Sequence, residues 1–251
     1  MALNYPGYLK LDQLLNLQEP RSSPAEHDEM LFIVIHQVYE LWFKVTLHEL
    51  DKIKHDFSNN ELFGAITTFK RVRMILKTLV GQLDILETMT PLSFSAFRDR
   101  LDTASGFQST QFRELEFVFG YKRPEGLSTN AAVQRRYRER SLVDHFYDFL
   151  EQRGVAIPQE LKQPGQPTRP NVQVQQGLLR LYKESPEVAI LLELMTDIDE
   201  GLQEWRYRHI KIVERTIGAK KGTGGSPGVE FLKTSLFHPV FPDLWAIRHE
   251  M

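Results

Sequence analysis

Apolar residues recur at steps of three and four along most of the chain, which is the period of an amphipathic helix. One stripe covers Glu26 to Asp56, and a second covers residues 61–87. A third follows Pro186 and runs to Gly218. We find neither the alternation of a half-buried strand nor an internal repeat. The pattern therefore predicts an all-α fold, a bundle of long helices.

Residues that start or stop helices mark the breaks between these stripes. Thr90-Pro91 predicts a cap and the first turn of a helix that runs through Phe97. Ser105-Gly106 predicts a break before another helix at 107–119. A glycine-rich loop at 222–228 precedes a short helix and a tail rich in Phe, Pro and Trp.

The stretch 121–185 is less regular. We predict one helix over 131–152 and another near 173–184, separated by the Pro- and Gly-containing loop 163–170. We interpret the arginine-rich run 135–140 as a solvated helix face rather than a phosphate-binding patch, because acidic residues interrupt it.

The composition is that of an ordinary soluble globular protein. The 251 residues are 41% hydrophobic and 25% charged, with a formal net charge of -2. We therefore predict a single domain over residues 1–251 and no nucleic-acid partner. The N-terminus has no signal-peptide pattern, and no apolar run approaches the length of a membrane span, so we expect a cytoplasmic protein without a membrane partner.

Cysteine is absent. Its absence excludes disulfides, Cys-ligated zinc, iron–sulfur clusters and haem attached covalently through cysteine. The di-iron bundle motif is also missing, because Ile33 and Arg206 stand where a Glu would precede His36 and His209 by three residues. Lys52 replaces the second histidine of a zinc-protease motif after His48-Glu49.

Two histidines lie on apolar helix faces. His209 follows Trp205 by four residues, and His36 shares its face with Phe32 and Tyr39. A buried histidine either ligates a metal or haem or hydrogen-bonds inside the core. Spacing alone favours the core role for both. A polar group without a partner there costs about 1–3 kcal/mol, which a ligand could offset.

Three weaker signals concern anions. Arg98 stands among aromatic residues and could grip a carboxylate bidentately, although most such arginines are surface residues. Thr223 offers a hydroxyl in the loop 222–228, which is equally well explained as a flexible surface loop. Arg206 and Arg208, next to His209, could pair with haem propionates.

Taken together, ordered segments across nearly the whole chain resemble the tryptophan 2,3-dioxygenase family. The matching segments are Tyr5-Pro6-Gly7-Tyr8-Leu9, 27–33, His36-Gln37 with 40–42, Phe97-Arg98-Asp99, 105–109, 205–209 and 222–225. Phe94 departs from the tyrosine and Pro6 from the glycine that many members have, and residues 121–185 match poorly.

The resemblance implies a homotetramer with one non-covalent haem b per subunit. The implied reaction adds O2 across the indole C2–C3 bond of L-tryptophan to give N-formylkynurenine, the first step of the kynurenine pathway. His209 then matches the axial iron ligand, with Trp205 and Ser105 beside the haem. His36 matches the residue that meets the indole N–H, either as a base or only as a positioning contact.

The other implied roles concern the substrate. Phe32 and Leu101 line the indole pocket, Arg98 clamps the carboxylate, and Thr223 contacts the carboxylate and ammonium. Phe94 is also a substrate-binding position, at which the tyrosine of many members would add a hydrogen bond to the carboxylate. Tyr5, Tyr8 and Leu9, within the N-terminal segment 1–25, complete the pocket of the neighbouring subunit.

Three other hypotheses remain open at this stage. The first is a haem enzyme that inserts one oxygen atom into a different indole, against which Arg98 and Thr223 argue. The second is a haem carrier or sensor without catalysis. The third is an all-α interaction protein without a cofactor.

Overall fold

The computed structural model describes residues 3–123, 128–163, 168–220, 222 and 229–251. These residues form helices and turns and no strand, which confirms the all-α fold. The α-helices are α1 (Tyr5–Leu9), α2 (Leu11–Leu14), α3 (His27–Ser58), α4 (Leu62–Leu86), α5 (Pro91–Arg98), α6 (Thr110–Val118), α7 (Ala131–Arg138), α8 (Leu142–Glu151), α9 (Val172–Glu184), α10 (Pro186–Ile217), α11 (Val229–Lys233) and α12 (Pro242–Ala246). Short 3₁₀ turns lie at Asp99–Leu101, Gly106–Gln108, Gln159–Lys162 and Ile247–Glu250.

Three long helices build the core, as the hydrophobic stripes predict. α4 packs against both α3 and α10, while α6 and α8 cover α3 and α9 covers α10. Fully buried residues such as Leu50, Phe69 and Leu191 belong to one large apolar cluster. A smaller cluster of Met89, Phe94 and Phe97 sits around α5.

The apolar residues of α3 divide between two faces. Ile35, Tyr39 and Phe43 are buried in the core. A second set on the same helix is exposed: Met30, Val34, Leu41 and Val45. By length and composition alone α3 could cross a membrane, with a mean hydropathy of 1.3 over its most apolar window. We assign it to the core, because it packs against four other helices.

The expected single helix over 131–152 is wrong. Glu139 adopts an extended backbone after α7, and α8 starts anew at Ser141, whose side chain and that of Asp144 cap each other's backbone N–H. A strong capping box at this point outweighs the helical propensity of the residues around it.

The arginine run 135–140 is not a uniformly solvated face either. Arg136 is buried and forms ion pairs with Asp51 at 2.6 Å and with Glu114 at 3.3 Å. Because these carboxylates come from α3 and α6, the charge of Arg136 is compensated by residues distant in sequence, and α7 is locked against the bundle.

Asp199 on α10 anchors the C-terminal tail. Its carboxylate is fully buried and accepts hydrogen bonds from the backbone N–H of Val240 and Phe241, at 2.8 and 3.0 Å, and from Trp245 Nε1 at 3.0 Å. Burial raises the pKa of Asp199, and these donors act in the opposite direction.

We expect Asp199→Ala to destabilise the protein by about 4 kcal/mol, because two buried backbone donors and the partly buried Trp245 Nε1 lose their acceptor. Urea unfolding measures the change. Asp197→Ala is the matched control: Asp197 lies on the same helix in a half-exposed pair with Arg73, so its loss should cost no more than about 1 kcal/mol. Equal losses in the two variants would contradict the anchoring role.

Candidate active site

A cavity of about 350 Å³ lies among α3, α4, α5, α6 and α10, and its volume is in the range of small-molecule and cofactor sites. Its walls are mainly apolar. Aromatic and aliphatic side chains that line it include Phe32, Phe43, Leu83, Leu86, Met89, Phe94, Phe112 and Ile217. Since α3 and α10 both pack on α4, residues far apart in sequence meet across this space.

His36 faces the cavity in a defined tautomer. Its Nδ1 atom lies 2.7 Å from the backbone carbonyl of Phe32, which can only accept, so Nδ1 carries the proton. Burial lowers the pKa of His36, against smaller opposing effects of the Phe32 bond and the Glu40 charge. The neutral ring therefore keeps Nε2 as an acceptor for a ligand in the cavity.

His209 reaches the same cavity from α10. Its ring is stacked on Trp205, with centroids 5.3 Å apart and an interplanar angle of 2°. Burial, and secondarily the charge that His36 can carry, lowers the pKa of His209 to about 4. Among the described residues neither ring nitrogen makes a hydrogen bond. A neutral imidazole in this position can donate a lone pair to a metal.

Packing from three other aromatic side chains fixes Trp205. Its ring centroid lies 5.2 Å from Phe112 and 6.4 Å from both Tyr39 and Phe43. The stack in turn fixes the orientation of His209, so the imidazole is pre-organised before any ligand arrives.

The arginines beside His209 are engaged elsewhere. Arg208 pairs with Asp84 at 2.6 Å and with Glu87 at 3.1 Å, and it does not line the cavity. Arg206 does line it, but its Nη1 donates to the backbone carbonyls of Ser235 and His238. The interpretation of these two arginines as propionate partners is therefore wrong for Arg208 and has no support for Arg206.

Most residues selected from the sequence meet at this cavity. The lining contains Phe32, His36, Phe94, Arg98, Ser105, Trp205 and His209. Ser105 also begins the turn 106–108, where it caps the N–H of Phe107 and its own N–H is bound by Gln108. Thr223 falls outside the described residues, although its neighbour Gly222 lines the cavity.

Leu101 was expected to line the pocket, but it is not among the residues that line the cavity. It ends the 3₁₀ turn that follows α5 and packs against the cluster of Met89, Phe94 and Phe97.

Tyr5, Tyr8 and Leu9 do not line this cavity. All three are exposed, Tyr5 and Tyr8 to 71% and 70%, on the short helix α1. Two residues of α3 hold the segment between α1 and α3 in place. Glu29 accepts hydrogen bonds from the backbone N–H groups of Arg21 and Ser22, and Gln37 donates one to the backbone carbonyl of Leu17.

Sequence reasoning missed the polar residues of the cavity. Arg113 and Glu116 form an ion pair across one turn of α6, and Glu40 accepts from Gln111 at 2.9 Å. The spacing of Arg113 and Glu116 was a usable signal for the pair. Nothing in the sequence indicates that the pair or Arg123 would face the cavity.

The chemistry of the donors fits haem better than a bare metal ion. Within the described residues no group of three His, Asp or Glu side chains could hold a metal by itself. The cavity offers the single unpaired imidazole of His209, so an ion there needs further ligands, which a porphyrin supplies. The apolar walls and lining arginines suit a flat, mostly apolar group with carboxylates.

The fold and the cavity define an all-α protein with a mainly apolar site that two histidines from different helices line. The sequence model of the family "Tryptophan 2,3-dioxygenase" matches residues 1–153 and 171–251. The chain belongs to the tryptophan 2,3-dioxygenase family and is an oxidoreductase of the dioxygenase class. Only residues 154–170 lie outside the match, so the expectation that 121–185 matches the family poorly is wrong for 121–153 and 171–185.

Individual relatives agree over almost the full length. The chain is 53% identical to a tryptophan 2,3-dioxygenase of Herpetosiphon aurantiacus, over 100% of this chain and 99% of the relative. It is 50% identical to one of Anaeromyxobacter sp. strain K, over 98% and 96% of the two chains. A Bordetella pertussis relative of the same name is 40% identical, over 99% and 91%.

Proposed function

We propose that this protein binds haem b through His209 and converts L-tryptophan and O2 to N-formylkynurenine. One observation carries the proposal: two neutral imidazoles, from α3 and α10, face a single aromatic cavity. The imidazole of His209 can ligate iron, and that of His36 can contact a substrate. If both histidines had only a role in the core, their position at one cavity would have no explanation.

The residues that would hold the cofactor are already oriented. His209 would bind the iron through a ring nitrogen, with Trp205 stacked behind it and Ser105 at the cavity wall. When bound, haem supplies the activation of dioxygen, for which the side chains of this cavity have no equivalent. The protein supplies orientation, apolar surroundings and charge.

The substrate contacts follow from the shape and polarity of tryptophan. Phe32 and Phe94, with ring centroids 5.6 Å apart, provide an aromatic wall for the indole. His36 Nε2 accepts the indole N–H, and Arg98 binds the carboxylate with paired N–H donors. Thr223 is the proposed contact to the ammonium and carboxylate. These contacts place the indole C2–C3 bond for attack and exclude water from it.

We expect activity to persist as the pH falls to about 6.5 and to decline only below it. The pKa of His36 lies below its ordinary value of about 6.5 because of burial, so Nε2 stays an acceptor until the pH drops through that lowered pKa. The pH profile of kcat/KM measures this. His36→Asn, which keeps an acceptor that does not titrate, should lose the acid limb. An acid limb that persists in this variant would contradict the assignment.

To test the reaction, the haem-loaded protein is reduced anaerobically, ¹⁸O2 and L-tryptophan are added, and the mass of the product is measured by mass spectrometry. The proposal requires incorporation of both oxygen atoms. Incorporation of one atom would support the mono-oxygenating hypothesis instead. A stable haem complex that yields no product with any indole would support a carrier or sensor.

We propose that the protein is a homotetramer of one-domain subunits in which the segment 1–25 reaches a neighbour. The exposed tyrosines of α1, which do not line the cavity, and the exposed apolar residues of α3 support this. Light scattering of the purified protein tests it.

We also propose a cytoplasmic location without a membrane or nucleic-acid partner. The net charge of -2 favours the absence of a nucleic-acid partner.

A further inference from the structure

Arg123 is a cavity cation with a buried, unsatisfied N–H group. Its side chain lines the cavity, and its Nη2 atom has no hydrogen-bond partner among the described residues. Two other cavity arginines have partners, since Arg113 is paired with Glu116 and Arg206 donates to backbone carbonyls. A buried donor of a charged group is unfavourable without an acceptor. An anion in the cavity could accept a hydrogen bond from this donor and balance the charge of Arg123.

The backbone that carries Arg123 is anchored on two sides. Tyr121 lies under the guanidinium of Arg206, 4.5 Å from its ring centroid, and donates its hydroxyl to the carbonyl of His238 at 2.6 Å. Lys122 is buried and donates to three carbonyls at the C-terminal end of α7. Arg123 is thus presented to the cavity from a fixed segment, as a binding residue requires.

The charge of the cavity points to the kind of anion. Among the described residues its lining has an excess of two positive charges, from Arg98, Arg113, Arg123 and Arg206 against Glu40 and Glu116. Uncompensated charges in a mainly apolar cavity are stabilised by counter-charges from a ligand. A tryptophan zwitterion brings no net charge. Haem b brings two propionates, which equal the excess.

We propose that Arg123 binds a propionate of haem b and slows the release of the cofactor. The inference rests on the proposed function, because it requires that haem occupy this cavity. Arginine suits the role through its planar fork, which bonds a carboxylate bidentately.

The test compares haem release from the holoprotein, measured by transfer to excess apomyoglobin. Arg123→Gln removes the charge and keeps an amide, and we expect release at least about 10-fold faster. Arg123→Lys, which keeps the charge, should lie between this variant and the wild type. Arg138→Gln makes the same charge change at an exposed position of α7 outside the cavity and should leave the rate unchanged.

Iron protoporphyrin IX dimethyl ester, which lacks both carboxylate charges, separates the propionate contact from a loss of fold. The wild type should release the ester faster than haem, and in Arg123→Gln the difference between the two release rates should be clearly smaller. Acceleration of both by the same factor would overturn the proposal. So would unchanged haem release with a raised KM for L-tryptophan, which would assign Arg123 to the substrate carboxylate. A wild-type protein that takes up no haem would refute the proposed function itself.

Discussion

His209→Ala should lose stoichiometric haem. The cavity has no second imidazole placed like His209, whose ring is stacked on Trp205 and is free of hydrogen bonds among the described residues. We expect the haem content after reconstitution to fall from about one per subunit to near zero, measured by the Soret absorbance and the pyridine haemochrome. Imidazole added to the variant should restore part of the binding, because it can occupy the space that the deleted ring leaves.

His249→Ala provides the control, since His249 is 77% exposed at the C-terminus and does not line the cavity. It should bind haem as the wild type does. A His209→Ala variant with a normal haem spectrum and unchanged affinity would show that another residue ligates the iron. That result would contradict the assignment of His209 as the iron ligand, on which the proposed function depends.

Arg98→Ala should raise KM for L-tryptophan by about 100-fold, while the KM for tryptamine, which has no carboxylate, changes little. The loss of a bidentate guanidinium–carboxylate contact in a mainly apolar site costs about 3 kcal/mol, and 1.36 kcal/mol corresponds to a factor of ten. Steady-state kinetics on the two substrates measure the difference.

Arg100→Ala makes the same change two residues away, where the side chain is exposed and lies outside the cavity. Its KM values should match those of the wild type. If Arg98→Ala affected L-tryptophan and tryptamine equally, Arg98 would act on the shape of the site instead of on the carboxylate. Its position at the end of α5, beside Phe94 and Phe97, makes that distinction worth measuring.

Local signals in the sequence predicted the helices well. The stripes at 26–56 and 61–87 became α3 and α4, and Thr90 caps α5 by accepting from Ser93 N–H. The break within 131–152 was missed because a capping box at Ser141 competes with the helical propensity of the surrounding residues. The position of α7 also depends on which carboxylates pair with Arg136. Those carboxylates come from other helices, so no local pattern contains the answer.

The resemblance to the family identified most of the site residues, and the geometry of the cavity explained what these residues can do. Leu101 was assigned to the pocket wall, but it packs against the cluster of Met89, Phe94 and Phe97 and does not line the cavity. Arg113, Glu116 and Arg123 were overlooked, although all three line the cavity. A side chain's distance from a cavity depends on packing between elements, which residue type and spacing describe poorly.

By itself the sequence determined that this protein is all-α, that it belongs to one dioxygenase family, and that His36 and His209 lie on apolar helix faces. Only the tertiary structure decided that both histidines face one cavity and that His36 holds its proton on Nδ1. It also decided which arginines already have a partner. The reason is physical: helical periodicity depends on neighbours within a few residues, whereas burial, pKa and charge pairing depend on helices that are far apart in the chain.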